Sequence, residues 1–495
     1  MHQLTRTVAR NSIAGMSAQV AIKVLSFAFS VLIVRSLGPE VYGQYAGVLA
    51  FGAVFVFIAD LGLSPYLVRE VANARSEPDA VERTSHLYGN VTRIRMLLAV
   101  LAAVLMVAVA YLSGLPLTMV AAIALGTVGL FMYSVQGTSE AVLAGFERLD
   151  LSARGKVLNQ VIFVVVGAIA LWLSVGYFGL IFANLLGIAA MTYVCVRGVR
   201  RFGVVFGRVT EISWLPLIRA GLPFGVIALT LGLSYKFDSV LLSIFRGDAE
   251  TGYYNAAYNL VFSAVVFSNV LNTSLFPSLT RQAASDPTRL PAIYSRALRY
   301  LLVVALPIAV GVWALSDQLV SFLYKDSYLP AAEALRIVIW VVPLMFVTEF
   351  LGYIVVIRRQ EGRVARAVVI STGVNVALNL MLVPRFGFLA AAAMTVATEA
   401  VLVGQYLWLL RKTVRELDWS LALFRPLVAA LVMGALVIAI REQAGLLSIL
   451  PAALLYITLI LAFGVVGRDE LAFLRAITRR PLRNNQAGSQ PVADL

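Results

Sequence analysis

Fourteen mainly apolar stretches follow one another along this chain, at 11–34, 43–66, 93–113, 117–144, 157–175, 178–196, 215–245, 252–276, 298–323, 332–357, 364–383, 386–410, 422–440 and 447–467. A bilayer core about 30 Å thick is crossed by roughly 20 apolar helical residues, so each stretch is long enough to span it. Hydrocarbon offers backbone N–H and C=O groups no partners, which leaves the helix as the economical conformation for such segments. The expected fold is an all-α integral membrane protein with about 14 transmembrane helices. Composition agrees: 60% of the residues are hydrophobic, 13% are charged and the mean hydropathy is +0.87. That charged fraction is about half of what a soluble domain carries.

Charge placement orients the chain. Of the 40 Lys and Arg residues, 32 fall on one side if the N-terminus is cytoplasmic, six fall in the opposite loops, and Lys23 and Lys236 lie inside spans. The positive-inside rule then puts both termini in the cytoplasm of a cell with an inner (plasma) membrane. The net charge of +14 is spread in short clusters between apolar runs, which argues against nucleic acid as a partner. The run 11–34 is too long for the apolar region of a signal peptide and has no small-x-small site after it, so it is expected to be retained as the first helix. The tail 468–495 is expected to be cytoplasmic and polar.

Several chemistries lack their residues. The single cysteine, Cys195, lies in an apolar run and reads as a small buried hydrophobe. His2 and His86 have no partner at metal-ligand spacing. There is no phosphate-binding Walker loop, no H-E-x-x-H and no nucleophile elbow, so no catalytic residue, metal or cofactor is expected.

The chain repeats itself at an offset near 209. Gly38-Pro39-Glu40-Val41-Tyr42-Gly43 matches Gly247-Asp248-Ala249-Glu250-Thr251-Gly252, and Pro65-Tyr66-Leu67-Val68-Arg69 matches Pro277-Ser278-Leu279-Thr280-Arg281. Thr138-Ser139-Glu140 parallels Val347-Thr348-Glu349, and Phe178-Gly179 parallels Phe386-Gly387. Six helices per repeat is an even number, so the repeats share one orientation and their axis lies along the membrane normal. The expected organisation is a six-helix lobe at 1–210, a second at 211–415, helices 13 and 14 at 416–467, and the tail.

Polar residues inside spans mark a candidate cavity, because a charge in hydrocarbon costs about 2.5–3.5 kcal/mol on insertion scales. Gln19, Lys23, Ser26 and Ser30 form a stripe on helix 1 at steps of three or four. Such a stripe suits a cavity wall or close helix packing. Helix 7 carries Arg219, Lys236 and Asp238, and helix 11 carries Asn375 and Asn379 on one face. The intramembrane acids are Asp60, Glu140, Glu349 and Glu399, of which Glu399 is mid-span. Buried cations suit a phosphate, and buried carboxylates suit a proton or a metal cation.

The stretch from Arg35 to Tyr45, the segment Asp60-Leu61-Gly62-Leu63-Ser64 with Val68-Arg69-Glu70, and Tyr235-Lys236-Phe237-Asp238 followed by Gly252-Tyr253-Tyr254 resemble signatures of the polysaccharide transporter family. This family holds Wzx-like oligosaccharide flippases and shares a superfamily with multidrug-extruding MATE transporters and lipid II flippases. The resemblance implies alternating-access transfer of a polyprenyl-diphosphate-linked oligosaccharide to the outer leaflet, for O-antigen, capsule or exopolysaccharide assembly. It implies membrane lipids, a polysaccharide polymerase and chain-length machinery as partners. By its logic Lys236 and Arg219, with Lys23 from the stripe, meet the diphosphate or acidic sugars, and the polar faces add Gln19, Ser26, Asn375 and Asn379 to the cavity wall. Asp60, Asp238 and Glu399 are the candidates for ion coupling, itself an open option. A lipid II flippase and a MATE-type exporter of small cations are the alternatives.

Overall fold

The computed structural model describes residues 2–206, 214–285, 290–358 and 360–465, with side chains omitted for 2–21 and 269–285 and at 231, 266, 267 and 361. The described chain is helical throughout. In order the helices are α1 (His2–Asp60), α2 (Leu63–Ala74), α3 (Ala80–Leu112), α4 (Leu117–Gly145), α5 (Leu149–Trp172), α6 (Tyr177–Arg200), α7 (Trp214–Phe245) and α8 (Asp248–Ser285). Then come α9 (Leu290–Ala314), α10 (Ser316–Tyr324), α11 (Pro330–Val338), α12 (Val341–Ile357), α13 (Glu361–Leu409), α14 (Arg411–Val414), α15 (Arg425–Ala444) and α16 (Ile449–Ala462).

Two of these helices are too long to be single crossings. At 1.5 Å per residue, the 59 residues of α1 would reach about 88 Å, twice the thickness of a whole bilayer. α1 turns back at Gly38, whose φ of 75° and ψ of 168° break the helix. Pro39 restarts it, its missing N–H being harmless in a first turn. The 49 residues of α13 turn in the same way at Gly387 (φ 65°, ψ −147°), just after Pro384. A third reversal, at Gly445 (φ 56°), separates α15 from α16. Counting these halves singly, taking α11 with α12 as one span, and adding α7 and α8, the described residues make fourteen crossings. The chain is a multi-pass membrane protein.

Three surface details depart from the hydropathy reading. The second crossing ends at Asp60 rather than near 66, and Leu63–Ala74 forms a separate helix that buries Leu63, Leu67, Val71 and Ala74 along one side. The ninth crossing runs from Leu290 to Ala314, earlier than the expected 298–323, and Ser316–Tyr324 is a short helix of its own. α7 bends by 49° between Trp214–Thr230 and Gly232–Phe245. Short amphipathic turns at a membrane face have half-apolar sequences, which window averages merge into the neighbouring span.

Two contacts close the bundle at its opposite faces. At the face bearing Gly38, α1 and α8 touch backbone to backbone. A Cβ on Gly43 would lie 1.7 Å from the Asp248 carbonyl oxygen, and one on Gly252 would lie 2.1 Å from that of Pro39. Gln44 Nε2 donates to Asp248 Oδ2 at 2.9 Å across the same crossing. At the other face, the Leu61–Gly62 elbow packs on the first half of α7, and a Cβ on Gly62 would lie 2.2 Å from the Gly225 nitrogen. A second apolar core beneath this elbow joins α2, α3, α4 and α6 and holds Cys195 fully buried.

Candidate functional site

A cavity of about 430 Å³ lies between α1, α5, α7 and α8. Ser26, Phe29, Ser30, Tyr45 and Leu49 of α1, Gln160 and Phe163 of α5, Tyr235 and Lys236 of α7, and Tyr258, Asn259 and Phe262 of α8 line it. Lys236 is the one charged side chain in this lining among the described residues. Its Nζ stands 5.9 Å from the centroid of the Tyr258 ring, and no carboxylate within ion-pair distance of it is found among the described residues. An ammonium held against a π face and otherwise left for a ligand is a ready partner for phosphate. The crossing of α1 and α8 adjoins the cavity, whose lining includes Tyr42, next to Gly43, and Asn255, one turn after Gly252.

Two residues further along α7 the chemistry inverts. Asp238 is buried and turned away from Lys236, as a two-residue step on a helix requires. Its Oδ1 accepts from Asn379 Nδ2 at 2.9 Å. Its Oδ2 accepts from the Tyr254 hydroxyl at 2.9 Å and from Thr395 Oγ1 at 3.2 Å. Asn375 Nδ2 reaches Thr398 Oγ1 at 3.2 Å. The amide oxygens of Asn375 and Asn379 are buried with no hydrogen-bond donor among the described residues. Orphaned buried acceptors are costly unless something electropositive meets them. Asp238, Asn379 and Thr395, with Asn375 one turn before Asn379, therefore form an oxygen-rich cage from α7 and both halves of α13. Its one carboxylate among neutral donors suits a proton or a monovalent cation; a divalent site asks for more negative charge.

The remaining acids sit in separate networks. Glu399 accepts a short hydrogen bond from Thr348, and Glu349 Oε2 accepts one from Ser268 Oγ at 2.6 Å. Glu140 pairs with Lys156 Nζ at 2.5 Å and accepts from Ser152 and Gln136. Asp60 pairs with Arg95 Nη2 at 3.1 Å, and Ser64 Oγ bridges the two.

Of the residues singled out in the sequence, Ser26 and Lys236 line the cavity. Lys23, about one turn from Ser26, is exposed and is not in the cavity lining. Arg219 is exposed in the first half of α7, away from the lining. Asn375 and Asn379 are not in the cavity lining; Asn379 binds Asp238, and the Asn375 backbone carbonyl accepts from Asn379. The Gln19 side chain lies outside the described residues. Tyr254 stood in the same signature as Asp238 with no role assigned, and Thr395, 157 residues from Asp238, carried no signal in the sequence.

The chain's relatives agree with this architecture. The family described as "Polysaccharide biosynthesis protein" matches residues 8–282, and the MatE family matches residues 223–381. The probable low-salt glycan biosynthesis flippase Agl15 of Haloferax volcanii is 24% identical over 189 residues, 37% of this chain and 40% of that protein. The match therefore spans less than half of that relative. Among solved structures, the lipid II flippase MurJ in an inward closed conformation superposes with a TM-score of 0.74 at 14% identity, over 94% of this chain and 100% of that one. An inward-facing multidrug resistance MATE family transporter of the MOP superfamily superposes with a TM-score of 0.63 at 14% identity, over 80% of this chain and 95% of that one. At such identities these two likenesses establish the fold. With its first family match covering more than half of its length, this chain is a member of the polysaccharide biosynthesis protein family, built on the fold shared by MurJ and the MATE transporters.

Proposed function

We propose that this protein is a flippase that carries a lipid-linked glycan across the membrane, headgroup through the cavity and lipid tail in the bilayer. The observation that carries this reading is Lys236, an ammonium with no ion-pair partner among the described residues, on the wall of a cavity between α1, α5, α7 and α8. The family membership and the flippase named among its relatives support it. The two halves act as lobes, 1–210 and 211–415, that rock about the cavity, with 416–467 appended. The charge bias supports a cytoplasmic Leu61 face and cytoplasmic termini. Surface polysaccharide assembly follows as the setting, with a polymerase and chain-length machinery as downstream partners. A cation exporter is the weaker reading, since its cavity would present a carboxylate where this one presents a lysine.

Proteoliposomes holding a labelled polyprenyl-diphosphate oligosaccharide test the proposal through the rate at which headgroups reach an outside reagent. We expect the wild type to raise that rate above empty liposomes. A charge-assisted contact is worth about 1.5–3 kcal/mol, so Lys236→Gln should slow transfer roughly tenfold or more while Lys236→Arg retains most of it. Unchanged transfer in Lys236→Gln would remove the cavity from the path.

We propose further that the Asp238 cage couples transfer to a cation. An imposed gradient of protons or of sodium should accelerate the wild type, and Asp238→Asn should abolish that acceleration. An Asp238→Asn protein that still answers the gradient would shift coupling to Glu399, the other deeply placed acid.

A further inference from the structure

The α7–α8 wall of the cavity is an aromatic shelf. Tyr235 and Phe262 meet edge to face with centroids 5.8 Å apart, and Phe262 tilts against Tyr258 at 4.7 Å. Tyr235 and Phe262 keep 41% and 36% of their surface uncovered, and both line the cavity. The ammonium of Lys236 stands beside this shelf, and the amides of Asn259 and Gln160 reach the same space. No Asp or Glu, and no second Lys or Arg, lines it among the described residues.

Resting on the glycan-carrier reading, we infer that this shelf binds the first sugar of the headgroup, the one bonded to the carrier phosphate, and that the sugar is uncharged. A pyranose has a face of C–H bonds that lies flat on an aromatic ring, as planar ligands do on stacking platforms, and a rim of hydroxyls for amides. The phosphate next to it meets Lys236. An acidic sugar at this position would add a further negative charge to a site whose one cation already faces the carrier's phosphate. That carboxylate would be desolvated with only neutral amides and hydroxyls left to meet it, which is unfavourable. The volume points the same way. About 430 Å³ is in the lower part of the range of roughly 300–1,000 Å³ for small-ligand sites, which suits a phosphate with one or two rings rather than a long glycan.

The test compares three carriers in the same proteoliposomes: a bare polyprenyl diphosphate, one bearing a single neutral hexose, and one bearing a single hexuronic acid. We expect the wild type to move the neutral-hexose carrier at least about tenfold faster than the hexuronic one. In Phe262→Leu and in Tyr235→Leu, the ratio of hexose-bearing to bare carrier should fall by about five- to tenfold, the worth of one stacked ring. Phe262→Tyr keeps a ring and should keep the ratio. Because both rates come from one preparation, a poorly folded variant lowers both and cannot mimic the effect. An unchanged ratio in both leucine variants, or hexuronic transfer as fast as neutral, overturns the inference while the glycan-carrier reading stands. A wild type that moves no polyprenyl-linked glycan at all overturns both.

Discussion

Gly252→Val should reduce transfer by about 100-fold, because the protein can no longer close its Gly38 face. Gly43 and Gly252 occupy matched places in the repeated motif, and each lets its helix touch the other's backbone. The Cβ of a residue at 252 would lie 2.1 Å from the Pro39 carbonyl oxygen and 3.0 Å from its carbon, and backbone on a helix start has nowhere to retreat. Overpacking a tight contact costs about 1–3 kcal/mol, occasionally more, and at the upper end the closed state loses population by a factor of about 100. Accessibility reads this directly. A cysteine at Ser30, on the cavity wall, should be shielded from a membrane-impermeant maleimide in the wild-type background and labelled in Gly252→Val. Cys195 is buried and gives a low background. Gly373→Ala is the control, since nothing lies within 4 Å of the added carbon. Normal transfer and continued shielding in Gly252→Val would mean that the crossing of α1 and α8 is not a gate.

Much of this architecture was legible in the sequence because the bilayer imposes one coarse rule on every crossing. Length and apolarity marked fourteen spans, and Gly387 lay at the break read between two of them, whereas Gly38 and Gly247 stood out as matched glycines of the repeat. The same motifs did not reveal their purpose, for the contact of Gly43 with Asp248 joins residues 205 apart in the chain. The polar stripe of α1 was readable as a face, yet a stripe has no depth coordinate. Ser26 and Ser30 line the cavity while Lys23 is exposed outside its lining. Lys236 and Asp238 stood out as intramembrane charges, but their opposite settings depend on partners from distant helices. The aromatic shelf was hidden for another reason: in a chain so apolar, Tyr235 and Phe262 look like any lipid-facing rings until α5 and α8 are placed around them.

Arg95→Met should destabilise the fold by about 3–5 kcal/mol, the cost of stripping one partner from a buried ion pair. Arg95 is only 4% exposed and binds three elements at once. It pairs with Asp60 at the end of α1, donates to Ser64 Oγ of α2 at 2.8 Å, and donates to the Tyr133 carbonyl of α4 at 3.2 Å. Gly137 makes room for it, since a Cβ there would lie 2.6 Å from Arg95 Nη1. This network fixes the Leu61–Gly62 elbow on which α7 rests. Cys195, buried in the adjoining core, is a built-in reporter. Its maleimide labelling should rise by roughly 100-fold or more in Arg95→Met, the fold-change that corresponds to the lost stability. The double variant Asp60→Met with Arg95→Met removes both charges, and labelling should return most of the way toward the wild type. That rescue also separates two roles for Asp60. If it only anchors the elbow, the double variant transfers substrate and still responds to an ion gradient. If Asp60 itself carries the coupling ion, the double variant folds and transfers but ignores the gradient, and the assignment of coupling to Asp238 would have to give way.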